Sequence, residues 1–156
     1  TVLFFAALFL TAATGFAAPV LTYSGPFEFA SGVPHKEGVT GDMNLYFDGS
    51  ALTKVEMNLD KPVFNKTQLE SAEQTAYSKT LASGALQISV IFKLKGTPHK
   101  WYYVLVADSA DQGKTYAGTF YKVAATVADI EKVLTPGVTT SPTGWKETGS
   151  AEFATP

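Results

Sequence analysis

The chain is predicted to fold as one α+β domain, an antiparallel sheet of about five or six strands with two helices packed on one face; the alternative is a small β-barrel or curved sheet. Three observations carry the prediction. From Leu86 to Lys95 apolar residues fall at every second position, at Leu86, Ile88, Val90, Phe92 and Leu94, broken only by Ile91. Side chains on a strand alternate faces, so this is the pattern of a half-buried strand. Lys100 to Ala107 is apolar on both faces, Trp101, Tyr103 and Leu105 on one and Tyr102, Val104 and Val106 on the other, as a strand covered on both sides requires. Between those two strands Gly96, Thr97 and Pro98 supply turn chemistry. The third observation is a change of period over Thr67–Ser83, where Leu69, Ala72, Ala76 and Leu81 are loosely helix-spaced.

In chain order, Thr1–Ala18 has no charged residue, a dense apolar run from Val2 to Leu10 and small residues around Ala17. It reads as a signal peptide spanning 1–17, cleaved after Ala17, with its first few residues missing from the sequence. An uncleaved membrane anchor is the rival, since about 20 apolar residues span a bilayer, but Thr11, Thr14, Gly15 and Pro19 dilute the second half. The protein is therefore expected to be secreted, with no membrane contact after signal removal. One domain is expected over 18–137.

Phe27-Glu28-Phe29, flanked by Ser-Gly-Pro turns, reads as a brief edge strand. Met43, Leu45 and Phe47, the turn Asp48-Gly49, and Thr53, Val55, Met57 and Leu59 make a hairpin with a polar outer face. Thr67 with Glu70 fits a capping box and Gly84 a helix stop, so a helix is expected between them. Lys114 to Val123 alternates as a further strand. Val127, Ile130, Val133 and Leu134 are spaced for a short helix ended by Pro136-Gly137. Residues 138–156, rich in Thr, Ser, Gly and Pro, are expected to form a tail, disordered or lying extended along the domain.

Composition narrows function. The chain has 156 residues and no cysteine, which excludes disulfides, thiolate catalysis and cysteine zinc sites. The net charge is −2, the pI is near 5.6, and all 12 basic residues are Lys. Without Arg, the bidentate reader of phosphate and guanine, nucleic acid is not an expected partner. Gly113-Lys114-Thr115 matches only the end of a phosphate loop: position 108 is Asp where that loop needs Gly, and a strand follows where a helix is needed. Asp108, Asp111 and Gly113 lack the spacing of a calcium loop and read as a solvated turn. No metal or cofactor is expected.

Two histidines, His35 and His99, are present. A secreted hydrolase would use His99 as general acid or base with Asp108 or Glu37. Asn65-Lys66-Thr67 is a glycosylation sequon, or Asn65 caps the expected helix. With two Trp, seven Tyr and eleven Phe the chain is aromatic-rich. Trp101 and Tyr103 are expected to support the sheet, while Tyr46, Tyr102, Tyr116 and Phe120 are expected on the opposite face as a ligand-binding surface. The leading expectation is a non-enzymatic binding protein for a small apolar ligand, a glycan or a partner protein. The hydrolase, and a cell-surface structural protein tethered through the tail, are the alternatives.

Overall fold

Period-two hydrophobicity dominates the chain, and it builds more strands than the sequence pattern alone exposes. A computed structural model describes residues 20–31, 38–60, 68–95 and 101–156. They form β1 (Val20–Phe29), β2 (Thr40–Asp48), β3 (Ala51–Leu59), β4 (Gln68–Thr80), β5 (Leu86–Leu94), β6 (Tyr102–Ser109), β7 (Thr115–Val123), α1 (Val127–Leu134) and β8 (Lys146–Ala154). Each strand pairs antiparallel with its sequence neighbour, and β8 also pairs with β1, so the sheet is a closed barrel of eight strands.

The expected α+β fold with two helices is overturned. Gln68–Thr80, expected as a helix, is β4, and its register with β5 sets Ser71 opposite Leu94, Ala76 opposite Val90 and Ser78 opposite Ile88. The helical reading offered two Leu and two Ala as its entire apolar stripe, too little to bury. The strongly apolar β5, by contrast, requires a partner on each edge, and tertiary pairing overrides the local propensity of Glu, Gln and Lys. Phe27-Glu28-Phe29 belongs to a ten-residue strand paired on both sides, not to an edge. Residues 138–156, expected as a tail, contain β8, which closes the barrel. The signal segment, His35, Glu37, Asn65 and His99 lie outside the described residues.

Eight strands leave an interior just wide enough for side chains to fill. Phe27, Phe29 and Phe120 meet edge-on, with centroids 5.5 to 6.2 Å apart. Phe92 stacks on Tyr103 at 5.5 Å, and Tyr23 meets both Tyr116 and Phe47 at the other end. Met43, Leu45, Val55, Met57, Val90 and Leu105 fill the space between, each essentially inaccessible. Small residues make room for these rings. A Cβ on Gly149 would lie 2.2 Å from the Glu28 carbonyl oxygen and 2.6 Å from Phe120 Cζ, so only glycine fits there.

A second core lies outside the barrel. Ile91, Val104, Val106, Tyr121 and Val123 on the outer wall of β5–β7 are covered by Ile130 and Leu134 of α1 and by Val138. This explains the two-sided apolar pattern of β6: Tyr103, Leu105 and Ala107 face the interior and Val104 and Val106 face the helix. Thr126 caps α1 by accepting the Asp129 amide at 3.2 Å. After the helix, the chain is fastened by the buried Gln87. Its Nε2 donates to the Val138 carbonyl at 2.9 Å and to Asp108 Oδ1 at 2.8 Å, and its Oε1 accepts the Val138 amide at 3.0 Å.

Trp101, expected to support the sheet, is 38% exposed, with Lys122 Nζ 4.7 Å from its ring centroid. The stability costs separate accordingly. Phe120→Ala is expected to cost about 3–5 kcal/mol in urea unfolding, and Trp101→Ala less than about 1.5 kcal/mol. Gln87→Leu, which strands both Val138 backbone groups, is expected to cost at least about 2 kcal/mol; equal midpoints for Gln87→Leu and the parent would show that the segment after α1 is held by apolar contact alone.

Candidate functional site

Three tyrosines on the outer wall, Tyr46, Tyr77 and Tyr102, share one arrangement, in which an exposed or half-buried ring donates its phenol hydrogen bond to a glutamate. Register places Tyr46 of β2 opposite Lys54 of β3, and Asn44 opposite Glu56. Tyr46 Oη donates to Glu56 Oε2 at 2.6 Å, Lys54 Nζ donates to Glu56 Oε1 at 2.6 Å, and the same ammonium lies 4.1 Å from the Tyr46 ring centroid. Glu56 is only 6% exposed. Burial pushes its carboxyl up, yet the hydrogen bonds from Lys54 and Tyr46 and the Lys54 charge outweigh burial and hold it below the usual carboxylate range. The Glu56 hydrogen bond, with burial and the carboxylate charge, lifts the Tyr46 phenol to about 12.

On the neighbouring strands, register sets Glu73 of β4 beside Lys93 of β5. Tyr102 Oη donates to Glu73 Oε2 at 3.0 Å, with Lys93 Nζ 5.2 Å from its ring centroid. The hydrogen bond to Glu73 raises the Tyr102 phenol above its ordinary value. Further along β4, Tyr77 stands 36% exposed and donates a short hydrogen bond to Glu131 of α1. Burial and then this bond raise the Tyr77 phenol.

Between the outer face of β4 and α1 runs a groove of about 380 Å³, lined by Tyr77, Ser78, Lys79, Glu131, Leu134 and Thr135. The helix creates it: Leu134 is drawn down onto the barrel wall, which leaves Glu131 on the flank of α1 facing β4. One aromatic ring, one aliphatic floor residue, one carboxylate, one ammonium and the Thr135 hydroxyl converge there. This is the composition of a small-ligand site, apolar with a few placed polar groups.

The residues expected as one ligand surface are divided. Tyr116 and Phe120 lie in the interior core, Phe120 fully buried. Tyr46 and Tyr102 lie outside, on separate parts of the wall, and only Tyr102 stands beside β4. Asp108 accepts from Gln87 at the end of β6 remote from Tyr102. Asp111 serves its own turn, accepting the Thr115 amide at 2.9 Å, the Thr115 hydroxyl at 2.7 Å and the Ser109 hydroxyl at 2.8 Å. Those bonds, the Thr115 amide foremost, lower its carboxyl to about 2. Both its oxygens are engaged by its own loop, as a turn residue's are. Among the described residues, no group of three or more acidic or histidine side chains is placed to hold a metal ion. Tyr77 and Glu131 were not singled out by the sequence; 54 positions separate them, and no local pattern links a strand residue to a helix residue that far away.

By fold and site this is an all-β protein: an eight-stranded antiparallel barrel with a filled interior and an aromatic, charge-bearing groove on its wall. No protein-family model, curated protein or solved structure matches the chain.

Two pH limits follow from the Tyr46–Glu56 pair. Glu56 is depressed in the folded state, so its contribution to stability is full above its unfolded value near ~4.3 and is lost as pH falls through the folded value. Tyr46 is raised, so its contribution is full below its ordinary value near ~10 and is lost as pH climbs towards about 12. In urea midpoints measured across pH, Glu56→Gln is expected to flatten the acid limb and Tyr46→Phe the alkaline limb. Acid limbs of equal slope in parent and Glu56→Gln would remove this pair as a source of the dependence.

Proposed function

We propose that the protein is an exported, non-enzymatic binding protein whose contact surface is the outer wall around the β4/α1 groove, with Tyr77 and Tyr102 as its aromatic contacts. One observation carries the reading: these rings are held out of the barrel interior, which has ample aromatic residues, and each is oriented by a carboxylate, Glu131 for Tyr77 and Glu73 for Tyr102. The filled interior supports placing recognition on the wall, because Phe29, Phe92, Phe120 and Met43 occupy the space that a ligand inside the barrel would need. Tyr and Trp rings combine apolar area with a polar tip, which suits them to contact surfaces. Export is supported by the uncharged apolar segment 1–17.

The test is a fragment screen read by backbone amide shifts on isotope-labelled protein. Hits are expected to cluster on β4, α1 and the start of β6, and to vanish in the double variant Tyr77→Ala/Tyr102→Ala, whose melting temperature stays within about 5 °C of the parent because Tyr77 lies outside both cores and Tyr102 is only partly buried against the outer one. Hits centred elsewhere, or a large loss of stability in that variant, would overturn the proposal.

A further inference from the structure

The β4/α1 groove carries both signs of charge in one small space. Glu131 presents its carboxylate from the helix, with one oxygen taken by the Tyr77 phenol. Lys79, on the same outer column of β4 as Tyr77, lines the opposite side and forms no ion pair among the described residues. Thr135 adds a hydroxyl, and Leu134 with the face of Tyr77 supplies the apolar area.

Ligand classes can be sorted against this lining. A purely apolar ligand would desolvate a carboxylate and an ammonium without giving either a partner, which is costly. An anion gains from Lys79 and is repelled by Glu131, and a cation meets the reverse. A neutral polyhydroxylated ring suits both. Each hydroxyl donates and accepts, so one ligand satisfies the acceptor Glu131 and the donor Lys79, while its C–H face lies on the aromatic ring. A groove of about 380 Å³ is at the small end of ligand sites and holds one or two such rings.

We propose that the groove between β4 and α1 is a saccharide-binding site for a neutral sugar, in which the Tyr77 ring stacks on the sugar face and Glu131 and Lys79 hydrogen-bond its hydroxyls. The proposal rests on the binding reading above and names its ligand class. Tyr77 is a stacking residue already held in place by Glu131, so little side-chain order is lost on binding. Tyr102 and its Glu73 partner border the same strand and are placed to meet a longer chain.

The experiment titrates the full chain with cellotetraose, chitotetraose and maltotetraose, following amide shifts and calorimetric heats. At least one is expected to shift amides of Tyr77 to Lys79 and of Glu131 to Thr135. Tyr77→Ala and Glu131→Gln are each expected to weaken that binding about tenfold or more, Tyr77→Phe less, and Tyr46→Phe, on β2 two strands away from β4, not at all. Should Tyr77→Ala fold poorly, Glu131→Gln alone decides, since its side chain is outside both cores. A parallel titration with 1-anilinonaphthalene-8-sulfonate separates the failures. If it shifts the groove amides and no saccharide does, the sugar assignment falls while the groove remains a site. If neither probe does, both fall. Saccharide binding unaffected by Tyr77→Ala and Glu131→Gln would also overturn the assignment.

Discussion

Closure of the barrel depends on how interior volume is divided between strands. Phe27, Phe29 and Phe120 occupy one region of the interior, and the strand that closes the ring, β8, meets them with Gly149 and Ala151. Interiors pack close to crystalline density, so large side chains on β1 and β7 demand small ones on β8. The same accounting holds at Gly118, where a Cβ would stand 2.0 Å from the Val106 carbonyl oxygen and 2.6 Å from the Ala107 side chain. These small residues let strands approach and coil tightly enough for eight of them to meet.

That division of volume also decides which strands a sequence reveals. β2, β3, β5 and β7 show regular alternation because their inner columns carry large or medium apolar side chains, such as Met43 and Leu45 or Val55 and Met57. β8 turns Gly149, Ala151 and Phe153 inward, so two of its three inner positions look like a flexible tail. β4 sends Ser71, Gln74 and Ser78 inward beside Ala76, with Ser71 Oγ accepting the Val55 amide at 2.9 Å and donating to Gln74 at 2.8 Å. A polar inner column carries no hydrophobic period, and helix-favouring Glu, Gln and Ala then dominate the local signal. The alternative of a small barrel was visible in the pattern, but the choice between it and an open sheet lay in β4 and β8.

The candidate site was legible in part for a related reason. Alternation groups residues within a strand by parity, but it does not say which parity faces inward, and β6 is apolar on both. Tyr46 and Tyr102 were thus joined to Tyr116 and Phe120, although the first two face solvent and the others the interior. Bulges opposite Tyr46/Phe47 and Phe120/Tyr121, at Thr53 and Thr148, shift the parity within β3 and β8 as well. The groove arises where α1 ends its cover of the wall and the polar outer column of β4 begins. Such a border exists only in three dimensions, since it joins a strand and a helix that the sequence holds more than fifty positions apart.

The pairing of β1 with β8 carries a consequence for how the chain reaches this structure. The two strands that seal the ring come from opposite ends of the described sequence, Ser24 beside Ala154 and Phe29 beside Gly149. During synthesis β1 through β7 emerge as a curled sheet with two open edges, and a helix and a connecting segment follow before the closing strand arrives. Contacts of such long sequence separation form slowly, and open edges recruit other chains. The polar outer residues of β1, Ser24, Pro26 and Glu28, then act as guards of a waiting edge: proline donates no hydrogen bond, and glutamate resists a stranger's strand until β8 docks.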